Sequence, residues 1–349
     1  MNTRRVIAQS GAMLAGSLIL ARCCPVLHAQ PSARIGIRDI LQVGPTRTIK
    51  TIAHSAQLAG AGTTIEIDYG EYAGDVAVWT QDRLTLRAVG GRVRLIAAGT
   101  AAEGKAIWVM RGGQMSVEGF DFTGARVASQ NGAGIRFEKG VLRVRDCTFT
   151  DNENGILTGN DADTQLEIED SEFAHNGYGD GQSHNLYVGV IARLSVTGSY
   201  FHHARVGHLL KSRAKINRIY NNRLVDGEGR QASYELEFPI GGVAHVVGNV
   251  IAQSTSTENP HLISFGAEGY KWLLNEIRLE NNTLVNPLAQ GGVFLRVAPQ
   301  GAVAIRAVNN RLTGQGTLET AGPGEYRNNV RVALTDDVSA PVAPRIIRP

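Results

Sequence analysis

The chain has 349 residues, of which 43% are hydrophobic, 6% are aromatic and 41 are glycines. This composition favours a β-rich protein with many turns over a helical bundle. Residues 1–29 carry three arginines and no acidic residue, so the remainder holds 32 basic and 32 acidic side chains. A neutral body argues against general affinity for nucleic acid or membrane surfaces.

Residues 1–29 are predicted to be an export signal, because Arg4-Arg5 precede a mildly apolar stretch and a small residue suited to cleavage. The arginine pair resembles a twin-arginine motif, with an ordinary secretory signal or lipidation at Cys23 as alternatives. The apolar stretch is too short to span a membrane. We therefore expect a mature protein that begins near Gln30, without a membrane span, in the periplasm or outside the cell.

Cysteine usage predicts no disulfide in the mature chain. Two of the three cysteines, Cys23 and Cys24, leave with the signal, so Cys147 has no intrachain partner. Its place in the repeat described next favours a buried structural thiol over a nucleophile.

One pattern recurs through the body. Alternating apolar residues lead to a small residue or asparagine, and a Phe or Leu follows two positions later, with a spacing of about 27 residues. This repeat, without helices between the strands, predicts eight to ten stacked β-coils that share one core. Stacking would place asparagines in a ladder inside a turn and phenylalanines in a column in the core. The predicted members are Asn222, Asn249, Asn282 and Asn310, and Phe149, Phe173 and Phe201.

The N-terminal part carries a family resemblance. Residues 48–59 read as a short amphipathic helix, and the strand-like segments Ile65-Glu66-Ile67, Gly70-Glu71-Tyr72 and 84–96 follow it. Together with the repeat, these features resemble the pectate-lyase-like superfamily of right-handed parallel β-helices.

The resemblance implies an all-β, single-stranded right-handed parallel β-helix with a short N-terminal capping helix. This domain would cover residues 30–335, followed by a Pro-rich tail over 336–349. Members of the superfamily include polysaccharide lyases, uronan epimerases, hydrolases and non-catalytic surface proteins, so the fold alone does not choose an activity.

Charged and aromatic side chains concentrate in the second strand of the middle coils, whereas the same strand in earlier coils, such as residues 134–137, carries fewer of them. In-register stacking would bring them onto a few adjacent rungs, about 4.8 Å apart. We therefore expect a groove for an extended polysaccharide that carries carboxylates, partly walled by the glycine-rich loop 174–183. The candidate residues are His184, Asn185, Tyr187, His208, Lys211, Arg213, Glu235, Glu237 and His261.

Lyase chemistry fits this set. Elimination from a uronate requires a neutralised carboxylate, removal of the C5 proton and protonation of the leaving oxygen. The Lys-x-Arg pair resembles the alginate and chondroitin lyase branch, which implies Lys211 as the base and Arg213 as carboxylate binder or acid. His208 and Tyr187 would assist catalysis. The substrate-binding set would be His184, Asn185, Glu235, Glu237 and His261.

Other interpretations remain open for the same residues. Lys211 and Arg213 could form a cross-strand ion-pair ladder with Glu235 and Glu237. The two glutamates could instead be the acid and base of a hydrolase, because like charges on one side of a strand raise one pKa. An epimerase, or a non-catalytic glycan-binding or structural β-helix, would also suit the fold.

Motifs for other chemistry are missing from the sequence. There is no phosphate loop, no cysteine-rich zinc spacing and no serine nucleophile elbow. We expect no cofactor and assign no metal ligands; calcium stays an alternative, although a complete acidic site for it is not recognisable. The expected partner is a polysaccharide, bound by a monomer.

Overall fold

The computed structural model describes residues 39–333, apart from Glu228, Arg230, Gln231 and Glu258. This part of the chain is a right-handed parallel β-helix of about ten turns, which confirms the fold expected from the repeat and the superfamily resemblance. The predicted export signal and the Pro-rich tail lie outside the described residues. Within those residues, no helix is long and apolar enough to cross a membrane.

The strands form one sheet of 21 strands and one of 10. The larger sheet has two faces joined through two long strands, here called sheets 1 and 2, and the smaller one is called sheet 3. The long strands Thr64–Ala73 and Leu84–Ile96 run through both sheet 1 and sheet 2. The other strands of sheet 1 are Ile40–Val43, Gln114–Glu118, Val141–Arg145, Asp161–Glu169, Ile191–Thr197, Ile216–Tyr220, Val243–Val247, Glu276–Glu280, Ala304–Val308 and Glu325–Arg327.

Sheets 2 and 3 follow in each turn. The other strands of sheet 2 are Phe120–Thr123, Thr148–Thr150, Glu172–Ala174, Tyr200–His202, Arg223–Val225, Val250–Ala252, Thr283–Asn286, Arg311–Gly314 and Val330–Arg331. Sheet 3 consists of Ala77–Trp79, Ala106–Met110, Ala133–Phe137, Asn154–Thr158, Leu186–Val188, Leu210–Ser212, Leu236–Phe238, His261–Phe265, Gly292–Val297 and Gly316–Thr317. The coils between the two ends therefore surround a shared core with all three sheets.

A short α-helix, Ile52–Leu58, packs at the N-terminal end, within the predicted segment 48–59. Thr51 caps it by accepting a hydrogen bond from the backbone N–H of His54. The Asp75 carboxylate accepts two further N–H groups of the first turn, at 2.6 and 2.9 Å. At the other end of the solenoid lies a single 3₁₀ turn, Glu319–Ala321.

The asparagine ladder lies between sheets 1 and 2, as predicted. The backbone N–H and the side-chain amide of Asn222 donate to Oδ1 of Asn249, at 2.8 and 3.1 Å. Asn249 repeats both bonds to Asn282, and Asn282 repeats them to Asn310. The ladder continues to Asn329. Each asparagine side chain in the ladder thus satisfies a backbone N–H and a backbone carbonyl of the preceding coil.

The core contains the predicted aromatic column. Phe122, Phe149, Phe173 and Phe201 stack with ring centroids 4.9, 4.7 and 4.6 Å apart. Cys147 is also buried, and burial raises the pKa of its thiol to about 12. A thiol that stays protonated is unreactive, which agrees with the structural role expected from the sequence.

Candidate functional site

Outward-facing side chains of sheet 3 form one row along the solenoid, because each strand pairs in register with the next. The register joins Arg136 to Leu157, Leu157 to Tyr187, and Tyr187 to Lys211. It continues from Lys211 to Glu237. The coil spacing of about 4.8 Å therefore brings Tyr187, Lys211 and Glu237 together, as the repeat predicted.

A groove of about 600 Å³ lies over the first part of this row. Arg136, Leu157 and Tyr187 form its floor, and Asp180 and Gln182 of the predicted loop wall contribute to its side. We call it the sheet 3 groove. Its lining is Ser129, Gln130, Asn131, Arg136, Asn154, Leu157, Thr158, Asn160, Asp180, Gln182, Tyr187, Gly189, Val190, Arg213 and Lys271.

The charges in the sheet 3 groove favour an anionic ligand. Three of its lining side chains are basic and one, Asp180, is acidic. Among the described residues, neither Arg136 nor Lys271 forms an ion pair, and Nε of Arg136 is buried without a hydrogen-bond partner. Side-chain amides and hydroxyls supply most of the remaining polar lining, and such groups suit the hydroxyls of a sugar.

Tyr187 is held from the side by Arg213. The Nη1 of Arg213 donates to the phenolic oxygen at 2.5 Å, and the guanidinium carbon lies 5.1 Å from the ring centroid. Arg213 also forms a bidentate pair with Glu268, at 2.6 and 3.2 Å. Burial lowers the pKa of Arg213, but the hydrogen bonds and the charge of Glu268 outweigh it and raise that pKa. Arg213 is therefore a permanent cation beside Tyr187.

Lys211 lies in an ion-pair network next to the groove and does not line it. Its Nζ is 3.0 Å from Oε2 of Glu237 and 3.3 Å from Oε1 of Glu268. Glu237 also contacts Nε2 of His208, at 2.9 Å. Burial would raise the pKa of Glu237, but His208 and Lys211 outweigh that effect and lower it. The contact of Lys211 with Glu237 agrees with the ion-pair interpretation of the sequence. Its second partner, Glu268, was not among the residues that the sequence suggested.

His184 and His208 stack below the network, with ring centroids 4.5 Å apart. Nδ1 of His184 accepts the backbone N–H of His208 at 2.9 Å. Burial, together with the neighbouring positive groups, lowers the pKa of both imidazoles, most strongly for His184. Burial therefore favours the neutral form of both rings, and His184 joins two coils.

The remaining predicted site residues lie away from the groove. Asn185 is fully buried and hydrogen-bonds to Asn176 and to the backbone of His202, so it extends a second asparagine ladder. Glu235 is fully buried as well, and its carboxyl oxygens have no hydrogen-bond partner, whereas Glu237 contacts His208 and Lys211. His261 is half-buried one coil further on, where Nδ1 is 2.8 Å from Oδ1 of Asn259.

Of the three basic residues that line the groove, the sequence pointed to Arg213 but not to Arg136 or Lys271. Arg136 belongs to an early copy of the second strand that carries few polar side chains, and Lys271 lies outside the strands considered in the sequence, yet both line the groove with Tyr187. The position of Arg136 could have been predicted, because aligning the strands of successive coils places it in one row with Leu157 and Tyr187. For Lys271 the sequence carried no such signal, since loop residues have no register.

The chain matches no family model and no curated protein. Three matching solved structures are pectin methylesterases. One is a mutant in complex with hexasaccharide IV, with 12% identity and a TM-score of 0.39, covering 86% of this chain and 94% of that chain. Another is PemA from Erwinia chrysanthemi, with 12% identity, a TM-score of 0.35 and the same coverage. A third, in complex with hexasaccharide VII, has 13% identity and a TM-score of 0.34.

Proposed function

We propose that this protein binds an acidic polysaccharide in the sheet 3 groove and cleaves it by β-elimination. The observation that carries the proposal is the combination of Tyr187, whose oxygen is held by Arg213, with Arg136 and Lys271, which have no acidic partner among the described residues. Proton-transfer and carboxylate-binding groups thus share one open surface.

Two of the three requirements of the reaction have a candidate group that lines the groove, and the third, removal of the C5 proton, would fall to Lys211 beside it. Arg136 would pair with the uronate carboxylate, which stabilises the charge that develops when the C5 proton leaves. Because the oxygen of Tyr187 accepts from Arg213, its own proton remains available to a ligand in the groove. Tyr187 would therefore protonate the leaving oxygen, and Arg213 would position it. His208 lies behind Lys211, within the network.

The hypothesis that Lys211 is the base stays a prediction. Its ammonium group contacts Glu237 and Glu268, so removing it also leaves two carboxylates without a partner. A charge-neutral comparison is needed for this reason. Lys211→Met retains the aliphatic stem, and Lys211→Met with Glu237→Gln restores the local balance of charge.

One assay tests the proposed reaction. The purified protein is incubated with a panel of uronate polymers and with matched neutral polymers, while ultraviolet absorbance of unsaturated products and new reducing ends are followed together. Equal growth of both signals with an acidic polymer is the expected result. New reducing ends without unsaturated products would show hydrolysis and contradict the elimination.

A second function has its own support. The ion pairs of Lys211 and Arg213 satisfy both cations without a ligand, which suits a non-catalytic glycan-binding protein. Binding of an acidic polymer without either product signal would favour this alternative over the lyase.

We also infer that the protein is exported, on the strength of the arginine pair and apolar stretch in residues 1–29. N-terminal sequencing of material from cell fractions should give a start near Gln30 outside the cytoplasm. A start at Met1 in every fraction would contradict the signal.

A further inference from the structure

Three histidines from two successive coils meet where sheet 2 ends. His202 closes the strand Tyr200–His202, and His203 follows it directly. His175 follows the strand Glu172–Ala174 of the preceding coil, and the pairing of Ala174 with His202 brings it beside His203. One ring nitrogen from each histidine lies within 4.8 Å of the other two.

The backbone directs two of these rings to the same side. His175 and His203 have φ values of 56° and 50°, the left-handed conformation that this turn position also has at Asp151, one coil earlier. Equivalent turn positions in consecutive coils project their side chains in the same direction, one coil spacing apart. The ring of His203 packs on Gly227, where an added Cβ would lie 1.9 Å from Nε2. Its other nitrogen, Nδ1, faces His202.

Glu172 orients the third ring. Its Oε1 lies 3.0 Å from Nε2 of His202, and a carboxylate acceptor places the ring proton on that nitrogen. Nδ1 of His202 then carries a lone pair, and it lies 2.6 Å from Nδ1 of His203. A carboxylate behind an imidazole is the usual partner of a metal-binding histidine, because it fixes the tautomer and strengthens the ligand.

We propose that His175, His202 and His203 bind a divalent transition metal ion, with Zn²⁺ as the best fit. Three imidazoles are borderline-soft nitrogen ligands, which suit Zn²⁺ and its neighbours and not Ca²⁺ or Mg²⁺. Zn–N bonds of about 2.0–2.1 Å in tetrahedral geometry set ligand nitrogens roughly 3.3 Å apart. The three nitrogens reach that spacing by shifts on the order of 1 Å, and a water would complete the coordination.

The site would connect two coils beside the sheet 3 groove. His175 begins the loop that supplies Asp180 and Gln182 to the groove wall, and His203 begins the connection of the next coil. A bound ion would therefore hold both connections together without touching the groove floor. The three histidines are not recognisable as metal ligands in the sequence, because only the register of the coils brings His175 to the adjacent pair His202-His203.

The test uses the purified full chain after treatment with a chelator, titrated with Zn²⁺ alone by calorimetry. One equivalent is expected to bind, and His175→Ala, His202→Ala and His203→Ala should each weaken binding at least about tenfold. Glu172→Gln should weaken it about 10- to 100-fold. His245→Ala is the matched control, because His245 lies on sheet 1 beside Glu276.

Two further measurements keep the result interpretable. Circular dichroism and melting temperature in the presence of chelator verify that each variant is folded, and Co²⁺ replaces Zn²⁺ as a spectroscopic probe. Intense visible absorption bands of tetrahedral Co²⁺ should appear in the wild type and disappear in the histidine variants. Failure to take up Zn²⁺, or uptake that the three substitutions leave unchanged, would overturn the proposal.

Discussion

The guanidinium of Arg213 donates to the phenolic oxygen of Tyr187 at 2.5 Å and lies over its ring, 5.1 Å from the centroid. These residues are 26 positions apart in the sequence, in consecutive coils of sheet 3. The pair joins the ion-pair network around Lys211 to the sheet 3 groove. A change on either side of this contact should therefore be visible in the chemistry of the groove.

Replacing Tyr187 by Phe tests its role in proton transfer. The change removes one oxygen and retains the ring, so activity on the responsive acidic polymer should fall about 10²- to 10⁴-fold, mainly in kcat. The melting temperature should change little. Tyr220→Phe, at the end of a sheet 1 strand, is the matched control. An unchanged kcat in Tyr187→Phe would show that Tyr187 takes no part in catalysis.

Arg136→Ala tests carboxylate binding in the groove. Because a charge-assisted hydrogen bond contributes about 1.5–3 kcal/mol, affinity for an acidic polymer should fall about 10- to 100-fold. Affinity for the matched neutral polymer should be unaffected. Arg143→Ala removes an exposed arginine that pairs with Glu167 on sheet 1, and it should leave binding unchanged. Equal losses for both polymers would contradict recognition of charge.

Asn249→Ala tests the asparagine ladder. The substitution removes two donated bonds, to Ile219 and Asn282, and leaves the two donors of Asn222 without an acceptor. The free energy of unfolding should fall by about 2–4 kcal/mol, since buried unsatisfied donors cost about 1–3 kcal/mol each. Denaturant unfolding measures this loss.

The control for the ladder is Thr283→Ala, a half-buried position on the neighbouring strand. Its effect should stay within about 0.5 kcal/mol, as for most surface substitutions. A loss for Asn249→Ala no larger than that of Thr283→Ala would show that the ladder does not stabilise the solenoid.

The repeat made the fold predictable, because each coil carries the same signals. Asn249 and Phe173 stand at fixed places in the pattern, so their contacts with neighbouring coils followed from the period alone. The candidate site could be predicted from the repeat only in part. Tyr187 and Lys211 are neighbours because strand register is regular, whereas the position of Glu268 depends on a loop whose path has no period. Burial of Glu235 was unpredictable for the same reason, since it stands in the connection just before the strand Leu236–Phe238.

His184 should make the stability of the protein depend on pH. Its pKa is held well below the usual 6.5, first by burial and then by nearby positive groups. The unfolded chain therefore binds more protons below pH 6.5, and the free energy of unfolding should decrease as the pH falls through about 6.5 to 5. One such group contributes up to about 1.4 kcal/mol per pH unit.

Melting temperatures of wild type and His184→Asn between about pH 5 and 8 check this expectation. The side-chain oxygen of asparagine can still accept the N–H of His208, so the variant should fold and show a shallower dependence. Titration of Glu237 does not interfere with this measurement. Its pKa is lowered, so it changes the free energy of unfolding only in more acidic solution. Identical slopes for the two proteins would exclude His184 as the source.

Glu235→Gln should stabilise the protein at neutral pH. Both carboxyl oxygens of Glu235 are buried without a hydrogen-bond partner, and burial, with the charge of Asp226, raises its pKa well above 4.5. Folding above pH 4.5 must therefore either protonate this group or bury its charge, and a neutral amide avoids that cost. The gain should be about 1–3 kcal/mol near pH 7 and should vanish as the pH falls below 4.5, where the carboxyl group is protonated in both states.

Denaturant unfolding of Glu235→Gln at several pH values measures that gain, and the same variant separates the enzymatic alternatives. If the protein is a hydrolase that uses Glu235 with Glu237, the substitution should abolish the formation of reducing ends. A fully buried side chain cannot reach a polymer in the groove, so the lyase proposal expects greater stability without that loss. A less stable Glu235→Gln protein would instead mean that the carboxyl group is stabilised in the fold as a charged group.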